Sequence, residues 1–263
     1  MNIKNYTNTD QTLHLLCQII AKANRTFVPA KKDDSNTNLA YNMLKNRIEG
    51  RWIIAPKGKI ILSLNLSNFQ FEWVDEQNII LDSFPSIGFT IEKIENEIDK
   101  GLSGFGLHSG SFKEPMHYKI PEYSSLNDPI TPISYDEIRL WKMFRGLANV
   151  ACDNLMSSLK IKGETRIWPH HFDTGIYIEP SPQIGLGFGL AMEDSFVGEP
   201  YFYFSGYGLN DYTIDYTNFQ ELEIGKWIVE ENWKGAILPL KDLEGTKPDK
   251  VALFQDQVSS CFL

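Results

Sequence analysis

Trp168-Pro-His-His-Phe-Asp-Thr-Gly-Ile-Tyr-Ile178 aligns without a gap with Trp52-Ile-Ile-Ala-Pro-Lys-Gly-Lys-Ile-Ile-Leu62, tryptophan against tryptophan. Each segment follows a helical pattern, and in each half an aliphatic strand pattern later leads into a helix, near Thr90 and near Thr246. This shared order of elements favours an internal duplication. We therefore predict an α+β protein of two similar halves, each an antiparallel strand meander with helices packed on one face.

The pattern divides the chain into three segments. Residues 1–101 read as a first helix–meander–helix half, residues 102–134 as a connector rich in glycine, serine and proline, and residues 135–263 as a second half with the same order. Four prolines exclude a long regular element from the connector. The two halves are expected to pack as one globular unit.

Local patterns give further expectations for the first half. Helical spacing predicts a helix over residues 12–23, whereas residues 31–38 lack periodicity and predict a solvated loop. A short helical turn is expected over residues 39–45, and the alternation that follows predicts strands. Residues 90–100 carry isoleucines on one face and stop at Gly101, which predicts a helix with a C-terminal glycine.

In the second half, Ser134-Tyr-Asp-Glu137 is a capping box and opens the strongest helical pattern, residues 134–159. The predicted buried face of this helix consists of Leu140, Phe144, Leu147, Ala151, Leu155 and Leu159. Further on, Gly185-Leu-Gly-Phe-Gly189 lacks the spacing and the following helix of a dinucleotide motif. It predicts a strand whose glycine side lets another backbone or ring approach closely.

Composition narrows the classes of partner. A net charge of −9 and a pI near 5.1 argue against nucleic acid and anionic membranes as partners. No run approaches the ~20 apolar residues of a membrane span. The cysteines are three in number, none in a Cys-x-x-Cys spacing, which favours free thiols in a reducing compartment. The N-terminus also lacks an apolar signal core, so a cytoplasmic protein is expected.

The candidate site lies in the block from Trp168 to Asp173. If the block is extended, Trp168, His170 and Phe172 share one face of a strand, and His171 and Asp173 share the other. The Asp173 carboxylate would then orient the His171 imidazole and leave one ring nitrogen as a general base or a metal ligand.

The aligned first half supports a site at this place. Positions 170, 171 and 173 correspond to Ile54, Ala55 and Lys57, so the scaffold does not require polar residues there. A polar cluster on one copy alone is what a site grafted onto a duplicated scaffold would look like. The structural alternative is a buried His171–Asp173 pair beside core aromatics. Two ligands from one strand are too few for a metal site, so any metal stays unidentified.

Aromatic residues complete the predicted site. Tyr201, Tyr203 and Tyr207 alternate along one strand pattern and, with Trp168 and Phe172, could wall a pocket for a small amphipathic ligand. His14, at the edge of the apolar stripe of the first helix, is a further candidate for ligand binding. The alternative is core packing for the alternating aromatics and a satisfied core position for His14.

Two classes of function follow. The first is a small-ligand-binding protein with a polar and aromatic pocket in the second half. The second is a hydrolase-like enzyme in which His171, oriented by Asp173, acts as general base or metal ligand. The sequence names no reaction, cofactor or oligomeric state.

Four short blocks also carry a family resemblance. They are Thr12-Leu-His-Leu15 with Gln18 and Lys22, Trp168 through Asp173, Glu199-Pro-Tyr-Phe-Tyr203, and Ile237-Leu-Pro-Leu240. In these blocks the chain resembles an uncharacterised bacterial family known only as a domain of unknown function. The resemblance covers nearly the whole chain and departs from it around residues 30–48, where the loop is longer. It implies a shared fold and marks the blocks as important, but implies no activity or cofactor.

Overall fold

The computed structural model describes residues 3–123, 127–243 and 247–263, and the chain in these ranges is α+β. The described helices are α1 (Ile3–Phe27), α2 (Ile91–Gly101), α3 (Tyr135–Ser158) and α4 (Lys247–Phe262). The strands are β1 (Ala40–Asn42), β2 (Arg47–Glu49), β3 (Ile53–Ala55), β4 (Gly58–Asn65), β5 (Gln70–Asp75), β6 (Ile80–Pro85), β7 (Arg166–Trp168), β8 (Asp173–Ser181), β9 (Ile184–Ala191), β10 (Tyr201–Gly208), β11 (Lys226–Val229) and β12 (Lys234–Pro239). Thr246, the predicted start of the last helix, lies outside the described residues.

The strands form two six-stranded antiparallel sheets. The first has the order β1-β2-β4-β5-β6, with β3 also pairing with β4. The second has the order β11-β12-β10-β9-β8-β7. Helix α2 contacts β6, and α4 contacts β10 and β12. The predicted α+β class with two strand meanders is therefore confirmed.

The chain divides into two compact units. The first-sheet unit comprises Asn8–Lys142 and Ile167–Phe172. The second-sheet unit comprises Met1–Thr7, Met143–Arg166 and Asp173–Leu263. The predicted connector belongs to the first-sheet unit, and the division falls between Phe172 and Asp173, inside the block that carries the predicted site.

Helix α2 begins as predicted and ends later than expected. Thr90 caps it, and its side chain accepts a hydrogen bond from the backbone N–H of Lys93 across 3.3 Å. Gly101 has right-handed helical dihedrals, and the chain continues as a 3-10 turn over Leu102–Phe105. The left-handed residue that stops the helix is Gly106, with φ of 76°, because glycine adopts that conformation without steric cost.

The capping box of α3 is confirmed. The backbone N–H of Glu137 donates to Ser134 Oγ across 3.3 Å, and Glu137 Oε2 accepts from the Ser134 backbone N–H across 2.9 Å. The Ser134 hydroxyl also donates to Glu137 Oε2 across 2.6 Å, and this hydrogen bond, together with the one from the Ser134 N–H, lowers the pKa of the Glu137 carboxyl because both stabilise its charged form. Two orphan donors at the start of the helix are thereby satisfied.

The buried face of α3 is rotated from the predicted one. Phe144, Ala151 and Leu155 are buried as expected, but Leu140, Leu147 and Leu159 are only half-buried, and Trp141, Arg145, Ala148 and Cys152 are buried instead. The reason is Arg145, which is fully buried although its type suggests a solvent position. Its Nη1 donates to Thr174 Oγ1 across 3.0 Å and to the Leu190 carbonyl across 3.3 Å.

Between α1 and β2, one prediction is wrong and another holds only in part. The expected helical turn over residues 39–45 is strand β1 followed by turns, and Leu39 forms a bridge with Ile167. Residues 31–38 form a loop as expected and residues 31–33 are exposed, but residues 35–38 are buried. Burial is tolerated because Asn24 Nδ2 donates to two loop carbonyls, those of Thr37 across 3.2 Å and Asn38 across 3.1 Å.

The repeated helix–meander–helix order fits a duplication, although the tryptophans do not correspond. The gapless alignment correctly places β4 and β8 at matching positions. However, Trp52 precedes β3, whereas Trp168 is the last residue of β7. The two tryptophans differ because the connections differ in length. Two residues separate β3 from β4, whereas a four-residue turn, 169–172, separates β7 from β8.

The three cysteines are free thiols. Cys17 and Cys152 are fully buried, while Cys261 is half-buried. Burial raises the pKa of the Cys152 thiol well above its ordinary value, so this thiol is uncharged at neutral pH.

Candidate functional site

The predicted site block is a turn rather than a strand. Residues 169–172 form the turn, and the backbone N–H of Phe172 donates to the Trp168 carbonyl across 2.6 Å. Phe172 has a positive φ of 52°, and β8 begins only at the next residue. Alternation along a strand therefore does not apply. The prediction that Trp168, His170 and Phe172 share one strand face, with His171 and Asp173 on the other, is wrong.

Phe172 is a core residue of the first-sheet unit. Its side chain is fully buried and its ring stacks on that of His14, with centroids 5.1 Å apart. The Phe172 ring also stacks on that of Trp141, with centroids 6.4 Å apart. Trp141 Nε1 in turn donates to Asp10 Oδ1 across 2.7 Å. The ring packs on these two core rings and not on the predicted pocket in the second half, so this part of the predicted site is wrong.

His14 anchors the turn to α1 within the same unit. Its Nε2 lies 2.8 Å from the Pro169 carbonyl oxygen and its Nδ1 lies 2.7 Å from the Tyr123 hydroxyl. Because a carbonyl only accepts, Nε2 carries a proton, and in the neutral ring Nδ1 accepts from Tyr123. The ring is fully buried. Both nitrogens are engaged, as in the structural alternative given above.

The predicted connector runs along the polar side of α1. Gln18 Nε2 donates to the Pro169 carbonyl across 2.7 Å, and Gln18 Oε1 accepts from the Tyr118 hydroxyl across 3.0 Å. Near the C-terminal end of α1, Arg25 donates to three carbonyls of the connector, those of Ser111, Glu114 and Pro115. From Arg25 through Gln18 to His14, the contacted connector residues run from Pro115 through Tyr118 to Tyr123. The connector therefore runs antiparallel to α1.

Sequence reasoning missed the roles of Tyr118 and Tyr123. Burial raises the pKa of both hydroxyls above the ordinary value, which keeps them protonated as donors. The available signal was the spacing of His14 and Gln18, four residues apart on one helix face. Their partners lie about a hundred residues away, and no local pattern identifies them.

The remaining residues of the turn lie nearer the surface. His170 is half-buried, with its ring centroid 4.4 Å from that of His171 and 5.7 Å from that of Tyr118. Trp168 is half-buried, 6.1 Å from His170, and His171 is exposed. Within the described ranges, no group of three or more His, Cys, Asp or Glu side chains is placed to hold a metal ion.

Asp173 and the predicted tyrosines belong to the second-sheet unit. Tyr203 Oη donates to Asp173 Oδ2 across 2.5 Å, and burial together with this carboxylate raises the pKa of Tyr203 well above its ordinary value. Tyr201 is buried and donates to Asp194 Oδ2 across 2.7 Å. Both hydroxyls are thus engaged in internal hydrogen bonds. Tyr207 is the exposed member of the set, with 45% of its surface accessible.

The glycine side of β9 is covered by these rings, as predicted. Gly189 pairs with Tyr203 and Gly185 pairs with Tyr207 across the β9–β10 ladder. A Cβ atom added at Gly189 would lie only 2.8 Å from the Tyr203 hydroxyl. Tyr203 and Tyr207 therefore lie against the glycines of β9, and of these two rings only that of Tyr207 is exposed.

An unpredicted pocket of about 310 Å³ lies within the first-sheet unit. Its apolar lining consists of Leu62, Phe71, Trp73, Phe84 and Ile98, and its polar lining of Asp82, Ser83, Glu97, Lys100 and Gly101. Strand register explains this grouping, because Leu62, Trp73 and Asp82 are successive cross-strand partners on β4, β5 and β6. The C-terminal end of α2 supplies Glu97, Ile98, Lys100 and Gly101.

The two carboxylates of the pocket differ in their partners. Glu97 Oε1 accepts from Lys100 across 2.8 Å and from Lys93 across 2.6 Å, and these hydrogen bonds lower the pKa of Glu97 to about 2. Asp82 Oδ1 accepts from the backbone N–H of Ser83 across 2.8 Å. In the part of the chain that the structure describes, no lysine, arginine or histidine forms an ion pair with Asp82.

Trp73 contributes a buried donor without an acceptor. The side chain is only 2% exposed, and among the described residues its indole Nε1 has no hydrogen-bond partner. The alternation around Phe71 and Trp73 predicted the strand correctly, but a pocket depends on how far α2 covers the sheet, which no local pattern encodes.

Comparisons with known proteins identify no relative. No protein-family model matches the chain, and neither the curated proteins nor the solved structures contain a match. The resemblance to an uncharacterised bacterial family stays a prediction, and function has to be argued from the geometry.

Proposed function

We propose that the protein binds a small molecule in the pocket of the first-sheet unit. The ligand-binding class is the one expected from the sequence, but the proposed site lies in the first half instead of the second. The observation that carries the proposal is the combination in one recess of aromatic side chains and of a carboxylate, Asp82, without a basic partner.

The size and chemistry of the recess support this function. Ligand pockets measure about 300–1,000 Å³ and combine apolar walls with a few polar groups. A volume of about 310 Å³ therefore suits a small ligand.

The test is a fragment screen by ligand-observed NMR on the full chain and two glycine variants. Gly101→Leu places a side chain in the pocket, where a Cβ already comes within 2.9 Å of Asp82 Oδ2. Gly104→Leu is the matched control, because a Cβ there has no neighbour within 4 Å. Fragments should bind the natural chain and Gly104→Leu but lose binding to Gly101→Leu. The proposal fails if no fragment binds, or if Gly101→Leu keeps the unfolding temperature of the natural chain and binds every fragment equally well.

A second candidate function is a hydrolase-like enzyme, favoured by the His14–Tyr123 hydrogen bond. His14 is held by Pro169 and accepts from a half-buried hydroxyl, so the pair could move a proton through Tyr123. A panel of chromogenic esters and phosphoesters tests it. Tyr123→Phe should lower any turnover by about 100-fold or more. Loss in His171→Ala instead would support the His171–Asp173 enzyme, and absence of turnover by the natural chain would contradict both.

We further propose a reducing compartment such as the cytoplasm as the setting of this function. All three cysteines are free, and burial protects two of them. Oxidising compartments favour paired cysteines, so the free thiols support the proposal.

A further inference from the structure

We infer that the pocket selects a small organic cation, an amine or quaternary ammonium group carried on an apolar body. This inference rests on the proposed ligand-binding function and names the class of ligand. It follows from the balance of charge in the lining, the rings beside the unbalanced charge, and the absence of a metal-binding group.

The charge balance of the lining favours a cation. The charged side chains of the pocket are Asp82, Glu97 and Lys100. Lys100 is engaged with Glu97, which a second lysine outside the lining also contacts. The carboxylate of Asp82 is left as the unbalanced charge, because among the described residues it forms no ion pair. An anionic ligand would meet two carboxylates, whereas a cation would pair with Asp82.

The rings of the lining lie beside Asp82, and Phe84 is the accessible one, because Trp73 and Phe71 are only 2% and 1% exposed. Trp73 and Asp82 are cross-strand partners on β5 and β6, and such partners have Cβ atoms about 4.5–5.5 Å apart. Phe71 and Phe84 form the neighbouring pair of the same two strands. Aromatic faces attract ammonium groups within about 6 Å, and tryptophan does so best. The apolar body of the ligand would contact Phe84, which is half-buried.

A bare metal ion fits the pocket less well than an organic cation. Hard divalent cations take about six to eight oxygen ligands. Within the described ranges no group of three or more metal-ligating side chains occurs, and Asp82 is the one carboxylate of this lining without a lysine partner. One carboxylate beside aromatic rings instead matches the recognition of ammonium groups.

Three probes of similar shape test the ligand class by titration calorimetry at low ionic strength. They are benzyltrimethylammonium, its neutral carbon analogue neopentylbenzene, and the anion phenylmethanesulfonate. The cation should bind about tenfold or more tightly than either of the others, which is the size expected from a partly desolvated cation–π contact. Added salt should weaken its binding because salt screens charges near the surface.

Substitution of the carboxylate locates the charge effect. Asp82→Asn should remove the preference for the cation and leave the affinity of the neutral probe unchanged. Glu92→Gln is the matched control, since Glu92 is an exposed carboxylate on the first turn of α2 and does not line the pocket. A preference that survives Asp82→Asn, or that disappears in Glu92→Gln, would overturn the inference.

The outcomes separate the ligand class from the proposed function. If the neutral or anionic probe binds as tightly as the cation, and Gly101→Leu abolishes that binding, the ligand class is wrong and the binding function stands. If the cation binds Gly101→Leu and the natural chain equally well, the cation lies elsewhere and the inference is wrong. If none of the probes and none of the screened fragments binds, both the inference and the proposed function fail.

Discussion

His14 donates from Nε2 to the carbonyl oxygen of Pro169, 155 residues further along the chain, across 2.8 Å. Gln18, one helical turn beyond His14, donates to the same oxygen across 2.7 Å. A carbonyl oxygen has two lone pairs, so one acceptor is fully used by two donors from one helix face. The turn over residues 169–172 is thereby fixed to α1 within the first-sheet unit.

The shared acceptor predicts non-additive stability effects. His14→Ala and Gln18→Ala should each lower the free energy of unfolding by about 1–3 kcal/mol, because each leaves the Pro169 carbonyl with one donor. The double variant removes both donors and should exceed the sum by about 0.5–3 kcal/mol. Urea denaturation measures all three. Thr12→Ala, a half-buried position on the same helix, is the control and should change stability by less than about 0.5 kcal/mol. Additive losses would show that the carbonyl is not shared.

A buried ion pair on β2 and β5 should be costly to break. Arg47 Nε lies 2.7 Å from Glu72 Oε2, and the two side chains are 8% and 2% exposed. Glu72→Gln leaves the arginine charge buried and should lower stability by about 3–5 kcal/mol. Glu76→Gln breaks the exposed pair with Lys59 and should cost about 0–1 kcal/mol. Equal losses in chemical denaturation would mean that burial does not set the cost.

The glycine side of β9 should not tolerate a methyl group. A Cβ at Gly189 would lie 2.7 Å from the Cα of Gly175 and 2.8 Å from the hydroxyl of Tyr203, so neighbouring backbone must move. Gly189→Ala should lower the free energy of unfolding by about 1–3 kcal/mol. Gly104→Ala, which meets nothing within 4 Å, is expected to have no such effect. Thermal unfolding of the two variants compares them, and a neutral Gly189→Ala would contradict the packing described here.

Alkaline pH should destabilise the fold through Tyr41. Burial raises the pKa of this hydroxyl from 10.0 to about 12. Between these values the unfolded chain has lost the proton that the folded chain keeps, so stability falls as pH rises above 10. Below pH 10 the group has no effect. In urea denaturation at pH 9, 10, 11 and 12, Tyr41→Phe should reduce the decline by up to about 1.4 kcal/mol per pH unit. Equal declines in both proteins would show that Tyr41 does not ionise on unfolding.

Features set by neighbouring residues were predictable from the sequence. The capping box of Ser134 and Glu137 forms because both partners lie within one helical turn. The start of α2 at Thr90 and the alternation along the strands have the same origin. In each case the spacing of a few residues determines the geometry.

Features set by distant contacts were not predictable. The turn at Phe172 depends on a stacking partner, His14, that lies far away in sequence. Likewise Arg145 can be buried because the Thr174 hydroxyl and the Leu190 carbonyl accept hydrogen bonds from it. Residues 35–38 can be buried because Asn24 donates hydrogen bonds to the carbonyls of Thr37 and Asn38. The pocket beside Trp73 also requires the position of α2 over the sheet. In each case a contact with a residue far away in the sequence decides the structure.

The fully buried thiols give each compact unit its own chemical reporter. Cys17 belongs to the first-sheet unit and Cys152 to the second-sheet unit, and neither side chain reaches solvent in the folded chain. A thiol reagent can modify either one only after the surrounding unit opens. With Cys261 replaced by serine, the labelling rates at Cys17 and Cys152, read by mass spectrometry, compare how often the two parts of one polypeptide unfold.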